Sequence, residues 1–266
     1  MIKKYLIIGN PVSHSLSPNI HNYWFNQNKV NSVYEKKELV EKELPDIIQN
    51  IRDGKISGIN VTVPFKQKII PFLDKLSKLS KETQSVNTVY LKNNKVIGDN
   101  TDVYGFDKSI KKKGIELKDK TALILGAGGV VPSIICALEG LLLKKIYLTN
   151  RTFKKAEQLQ EKYPKLEIVK WGELVNFDII INATSVGLKV EDKIDLDLKK
   201  ISEKKFFFDT IYNPPTTDFL NEAKINGHLI MNGKLMLIYQ AQKAFELWHG
   251  FLPDINEKFL TIFTND

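Results

Sequence analysis

The sequence of 266 residues contains a single cysteine, Cys136, which excludes an intramolecular disulfide framework and points to a reducing compartment. Cys136 sits in the apolar run "SIICAL", where packing rather than nucleophilic chemistry is expected. Long hydrophobic runs are missing as well. The most apolar stretch, residues 130–143, contains Pro132 and Glu139 and falls short of a membrane span. The start, "MIKKYLIIGNP", offers only a four-residue apolar run before Gly9, too short for a secretory signal. A soluble cytoplasmic protein with no membrane partner is therefore expected. Histidine is scarce, with four in the chain, and His14 and His21 match no ligand spacing, so no metal is expected. Arginine is scarcer still: of 39 Lys+Arg only Arg52 and Arg151 are arginine. The remaining 37 lysines are scattered. The net charge of +8 thus reads as a solvated surface. No aromatic-interleaved basic stripe suggests a nucleic-acid partner. Where lysine serves almost every generic positive charge, a retained arginine points to a need for its planar fork.

A hydrophobic content of 42% over this length supports two domains, each with its own core. "KYLIIGN" reads as a strand, "NIHNYWFNQNK" as a helix with Pro18 near its start, "SVYEKKEL" as a strand and "ELPDIIQNIRDG" as a helix closed by Gly54. In "GINVTVPFK" a strand would place Asn60 and Thr62 on one side before Pro64 ends it, with Lys66 heading a helix "FKQKIIPFLDKLS" interrupted by Pro71. "SVNTVYLKNNKVIGDNT" has the character of a hairpin turning at Asn93-Asn94, and "DVYGFDKSIKKKG" of a helix. From residue 119 the texture changes to alternating strands and helices, ending in the amphipathic segment "LMLIYQAQKAFELWHG" and a shorter "INEKFLTIF". The fold class expected is α/β in two domains. An N-terminal domain with a mixed sheet spans residues 1–102, completed by helices in 235–266. A Rossmann-type dinucleotide domain spans 103–234.

"LILGAGG" sets Gly126, Ala127, Gly128 and Gly129 between a strand and a helix, where backbone without Cβ can approach a pyrophosphate at a helix N-terminus. Val131 stands where the third small residue of the usual glycine pattern falls, and Pro132 fits the first helical turn. After the second strand an NAD site would offer an acid to the ribose 2′-hydroxyl. Here the chain offers Asn150, Arg151, Thr152 and Lys155 with no acid among them, a set suited to a 2′-phosphate, so the cofactor expected is NADP.

The blocks "GNPVSHSLSPNIHN", "GINVTVPFK", "SVNT", "GDNTD", "GAGG", "NRT", "INATSVG" and "NGKLMLIYQA" occur in the order found in shikimate dehydrogenases, which the chain resembles to about residue 250. The resemblance implies reversible NADP-dependent reduction of 3-dehydroshikimate to shikimate, a step toward chorismate and aromatic amino acids. It implies Lys66 and Asp102 as the catalytic pair. Ser15 and Ser17 would hold the substrate carboxylate, with Asn60, Thr62, Asn87 and Gln240 on its hydroxyls and Tyr212 nearby. Thr184, Ile211 and Gly233 would line the nicotinamide end, Gly233 through its carbonyl. Ser15 and Ser17 could alternatively be helix caps. A quinate-preferring, NAD-using enzyme and a non-catalytic metabolite sensor are the rival readings. The partner expected is the small-molecule substrate, with the chain a monomer or homodimer.

Overall fold

The computed structural model describes residues 2–189, 191–194, 196–197, 200–201 and 203–264. The chain divides into two compact units: the first runs up to Lys108 and resumes at Leu237, and the second is Ser109–Met236.

The first unit is built on a mixed six-stranded sheet. β1 (Lys3–Gly9) lies between β2 (Ser32–Glu38) and β3 (Gly58–Val61), parallel to both. β3 continues antiparallel to β5 (Thr88–Lys92), which turns back into β6 (Lys95–Asp99), and the two-residue β4 (Lys75–Leu76) closes the edge parallel to β6. The order is β2-β1-β3-β5-β6-β4. β1 is apolar throughout its buried part because both its faces are covered. Leu6 and Ile8 enter a core with Leu44, Ile47, Ile48 and Ile51 of α2 (Leu44–Arg52). Tyr5 and Ile7 enter another with Ile20, Trp24 and Phe25 of α1 (Ser17–Gln27). The four buried residues of α2 fall at i, i+3, i+4 and i+7, the stripe an amphipathic helix must bury, at about 1.5–3 kcal/mol per side chain. Between β5 and β6, Asn93 and Asn94 both take positive φ, 51° and 56°, as the tight hairpin turn requires.

The helix expected over "FKQKIIPFLDKLS" does not form. After Phe65 the chain makes turns, then a short 3-10 helix at Ile70–Phe72 containing Pro71, and then β4. Pro71 removes one backbone donor, and ties to the sheet edge outcompete a helix. Asp74 N donates to Val96 O (3.0 Å), and Asp74 Oδ2 accepts from Val96 N (2.7 Å). Arg52 grips the same carboxylate with both guanidinium nitrogens at 2.6 and 2.8 Å and also reaches Phe72 O. This two-pronged bond, joined by the Val96 amide, lowers the Asp74 pKa to about 2. Lys66 therefore sits in a turn, not at the head of a helix. α3 (Lys78–Thr83) follows β4, and α4 (Asp102–Lys113) follows β6 and carries the chain from the first unit into the second.

The second unit is a parallel six-stranded sheet. Its strands are β7 (Thr121–Leu125), β8 (Lys145–Thr149), β9 (Leu166–Ile168), β10 (Ile179–Asn182), β11 (Phe206–Asp209) and β12 (Leu229–Met231). The order β12-β11-β10-β7-β8-β9 reverses direction between β7 and β10, which makes it doubly wound. α5 (Val131–Gly140), α6 (Phe153–Lys162) and α7 (Asp218–Ile225) connect its strands. Phe219, Leu220 and Ala223 of α7 pack with Leu123, Leu125, Ile180 and Phe207 of the sheet. α8 (Lys234–His249) and α9 (Glu257–Thr264) then return the chain to the first unit, where Ile238, Ala241, Phe245 and Phe259 fill the core around Tyr5 and Trp24.

Candidate active site

In the first unit the hairpin gathers the polar residues. Asn60 of β3 pairs in register with Thr88 of β5, and Thr88 with Asp99 of β6. Asn87, just ahead of β5, therefore lies beside Thr101 and Asp102, just after β6. Asn100 Oδ1 accepts from the Asp102 and Val103 amides (3.0 and 3.3 Å), which starts α4 at Asp102. A carboxylate in the first turn is favoured by the helix dipole.

Lys66 Nζ lies 2.6 Å from Asp102 Oδ2, with the two side chains 12% and 8% exposed. The other carboxylate oxygen accepts from Asn87 Nδ2 at 2.9 Å. Asn87 is itself held by Thr101, whose amide and hydroxyl both reach its Oδ1 (2.8 and 3.1 Å). Gln240 of α8 places Oε1 3.3 Å from Asn87 Nδ2. The turn carrying Lys66 is fastened to the entry of β5 by Val86 N donating to Lys66 O (2.8 Å). The result is a charged pair, mostly shielded from water and fixed at both ends, a suitable arrangement for moving a proton to a bound oxygen.

Asn60, Lys66, Asn87, Asp102 and Gln240 thus come together as a connected group. Asn60 Nδ2 donates to Asn87 O and to Thr88 Oγ1 (3.1 and 3.0 Å). Its Oδ1 accepts from the buried hydroxyl of Tyr34 at 2.7 Å. Sequence reading missed Tyr34, although it is the one fully buried residue of β2. Burial pushes its pKa well above the usual tyrosine value, opposed by a hydrogen bond from Ser17, so Tyr34 remains a donor. Ser17 is the first residue of α1 and is not its cap, which is Leu16; Ser15 Oγ accepts from Ser17 N at 3.2 Å. Thr62 lies just past β3, and its methyl occupies the space a Cβ on Gly9 would need (2.5 Å). His21 is buried in an aromatic nest, stacked on Tyr34 at 4.5 Å. Among the described residues no cluster of three metal-ligating side chains occurs.

The second unit carries the glycine turn between β7 and α5. Gly126 has φ +106°, and a Cβ there would come within 2.8 Å of Thr184 Cγ2 and 3.0 Å of Ala183 O. Past the half-buried Ala127, a Cβ on Gly128 would meet only Ala183 O at 3.7 Å, and one on Gly129 nothing within 4 Å. Bare backbone in front of a helix N-terminus is the surface a pyrophosphate needs. After β8, Asn150 Nδ2 bonds Thr152 O (2.8 Å), while Arg151, Thr152 and Lys155 are exposed at the start of α6, which has no acid in its first turn. These residues fit a dinucleotide bearing a 2′-phosphate.

Beyond β10 and β11, Thr184 bonds Asn182 Oδ1 through its amide (3.0 Å) and hydroxyl (2.7 Å). Ile211 O accepts from Gly233 N at 3.0 Å, and Tyr212 follows in the same loop. A Cβ on Gly233 would fall 2.2 Å from the backbone oxygen of Thr210. Backbone cannot swing aside, so Gly233→Ala is expected to lower the melting midpoint by roughly 2–10 °C. An unchanged midpoint in differential scanning fluorimetry would show that the two loops separate freely.

Residues 7–89 match the family described as Shikimate dehydrogenase substrate binding domain, and residues 108–223 match Shikimate / quinate 5-dehydrogenase. Over 262 residues the chain is 55% identical to Shikimate dehydrogenase (NADP(+)) of Pelagibacter ubique, covering 98% of this chain and 99% of that one. The crystal structure of shikimate dehydrogenase from Aquifex aeolicus superposes with a TM-score of 0.92 at 39% identity, covering 100% of this chain and 98% of the other. That of shikimate 5-dehydrogenase from Thermus thermophilus, in complex with NADP(H) and shikimate, gives 0.88 at 33% identity and 95% coverage of both. With its two motif-bearing units and near full-length similarity to these proteins, the chain belongs to the shikimate dehydrogenase family.

Proposed function

We propose that the protein is an NADP-dependent oxidoreductase that interconverts 3-dehydroshikimate and shikimate, on the route to chorismate and the aromatic amino acids. The observation that carries this reading is the Lys66–Asp102 pair at 2.6 Å, braced by Asn87, within a family whose relatives bear that activity in their names. When bound, NADPH supplies the hydride that reduces the ring carbonyl carbon.

The chain's own residues do the rest. Lys66 Nζ hydrogen-bonds the carbonyl oxygen and passes it a proton as the carbon is reduced, leaving a secondary alcohol; the reverse reaction returns that proton to Nζ. Asp102 Oδ2 holds Nζ in place, and Asn87 fixes the carboxylate from its other side. Ser15 and Ser17 bind the substrate carboxylate, while Asn60, Thr62, Asn87 and Gln240 pair with its hydroxyls and Tyr212 adds a further contact. A hydroxyl-rich ring needs such matching, since each buried polar group left unpaired costs about 1–3 kcal/mol. Gly126, Ala127, Gly128 and Gly129 receive the pyrophosphate. Asn150, Arg151, Thr152 and Lys155 receive the 2′-phosphate. Thr184, Ile211 and Gly233 line the nicotinamide end.

The reading places the enzyme in the cytoplasm, as a monomer or homodimer working on small molecules. One cysteine in the whole chain suits that reducing compartment. No helix of the described residues is long and apolar enough to cross a membrane.

A quinate dehydrogenase using NAD is the second reading, favoured by the family description that names both substrates. Initial rates with shikimate and with quinate, each with NADP and with NAD, separate the two. Shikimate with NADP is expected to give the highest kcat/KM; replacing NADP by NAD removes the 2′-phosphate and its charge-assisted contacts, a loss of about tenfold or more. Preference for quinate with NAD overturns the assignment.

A further inference from the structure

Asp209, the last residue of β11, is fully buried, and nothing in the proton transfer uses it. Its Oδ1 accepts from Ile211 N (2.9 Å) and from Asn182 Nδ2 (3.1 Å), and its Oδ2 accepts from Thr217 Oγ1 (2.6 Å). Asn182 ends the neighbouring strand β10 and stands directly opposite Asp209 in the parallel register. Its amide then organises the following loop: Nδ2 donates to Val186 O (3.0 Å), and Oδ1 accepts the amide and hydroxyl of Thr184. One carboxylate therefore sets the course of the chain after β10 and after β11, and it anchors Thr217, the cap of α7.

Burial of a carboxylate is unfavourable, and here it raises the Asp209 pKa to about 6 although all three donors pull it down. An uncharged residue would pack there more easily but could not accept from three fixed donors. In a doubly wound sheet the dinucleotide lies across the point where strand order reverses, one mononucleotide on each side. That point is between β7 and β10. The adenosine half belongs with β7–β8 and the glycine turn, and the nicotinamide half with β10–β11.

We propose that Asp209 is a positioning residue for the nicotinamide half of the cofactor site, acting through Asn182 and Ile211 to hold the loops at 182–187 and 210–211 in the shape that receives the ring. The proposal rests on the NADP reading above. It separates from a purely structural role because only half of the ligand should notice the change.

Calorimetric titration of the full chain with NADP and with adenosine 2′,5′-bisphosphate, which lacks the nicotinamide half, tests it. Asp209→Ala is expected to weaken NADP by about tenfold or more and to leave the bisphosphate unchanged. Asp209→Asn keeps an oxygen for Ile211 and Asn182 and is expected to recover most of the loss. Should Asp209→Ala not fold, Asn182→Ala, which cuts the link and leaves the carboxylate, carries the same expectation. Wild-type affinity for NADP in the folded variant overturns the proposal, as does an equal loss for both ligands. A wild-type chain that binds neither ligand overturns the cofactor reading, and this inference with it.

Discussion

Lys66→Ala is expected to lower kcat by roughly 10²–10⁴-fold, the range that a positioned proton donor contributes, while the dissociation constant for shikimate shifts only several-fold. The reason is the division of labour in the site. Removing Nζ takes away the group proposed to meet the reacting oxygen. It leaves Asn60, Asn87 and Gln240 in their hydrogen-bonded positions, because none of them leans on Lys66. Asp102 loses one partner but keeps Asn87 Nδ2 and its place at the start of α4, so the unit still folds. Steady-state rates beside calorimetric titration with shikimate check both halves of the expectation. Wild-type-like turnover refutes the catalytic role. Weakened binding with unaltered turnover at saturation would reduce Lys66 to a substrate contact. A wild-type chain that binds shikimate without oxidising it would instead favour a metabolite sensor.

The second large effect is on stability in acid. His21 is fully buried among Tyr34, Trp24, Phe25, Phe245 and Trp248, and among the described residues neither ring nitrogen has a hydrogen-bond partner. Burial, reinforced by nearby His249, lowers its pKa to about 3; burial and Lys3 lower that of His249 to about 4. Both folded values lie below the unfolded value of about 6.5, so the folded state resists protons that the unfolded chain takes up. Their contribution is complete above about pH 6.5 and is lost as the pH falls toward 3 to 4. By pH 4.5 His21 alone accounts for about 3 kcal/mol, which lowers the melting midpoint by roughly 5–12 °C. Asp209 works in the opposite sense: with its pKa raised to about 6, its contribution is complete below about pH 4 and is lost as the pH rises through 6. The first unit should therefore weaken in acid more than the second. His21→Phe keeps an aromatic ring in the nest and removes one share of the effect, so its midpoint should fall less between pH 7 and 4.5 than the wild type's. Parallel slopes for the two proteins in scanning calorimetry would contradict the assignment.

The parts of the fold legible in the sequence were those where one local rule dominates. β1 shows as a short apolar run, the β5–β6 hairpin as Asn93-Asn94 between alternating strands, and the β7–α5 turn as glycines after "LIL". The segment from Phe65 to Leu76 misled because its periodicity suits a helix, whereas the decision came from Arg52 and Val96, distant in sequence and close in space. α3 and α7 were overlooked although Ser77 and Thr217 cap them through side-chain bonds to Ser80 N and Leu220 N. Those signals are single residues among many serines and threonines. Lys66 and Asp102 were recognisable only through their sequence blocks, and the structure adds what holds them, above all Asn87 with Thr101. Tyr34 and Asp209 lay outside those readings because their importance comes from burial and from the partner opposite, neither of which a linear pattern encodes.

The return of α8 and α9 to the first unit has a consequence for how the protein is made. The chain leaves that unit at Lys108 and comes back at Leu237, so Ile238, Ala241, Phe245 and Phe259 are translated well after the Tyr5, Ile20 and Trp24 that they cover. At about 5–20 residues per second, roughly ten to fifty seconds of synthesis separate the first strands from the helices that shield them. During that interval one face of the first sheet has α1 on it but lacks Ile238, Ala241, Phe245 and Phe259, and Asn87 waits for Gln240. The second unit, contiguous in sequence, can close its own core before the first one does.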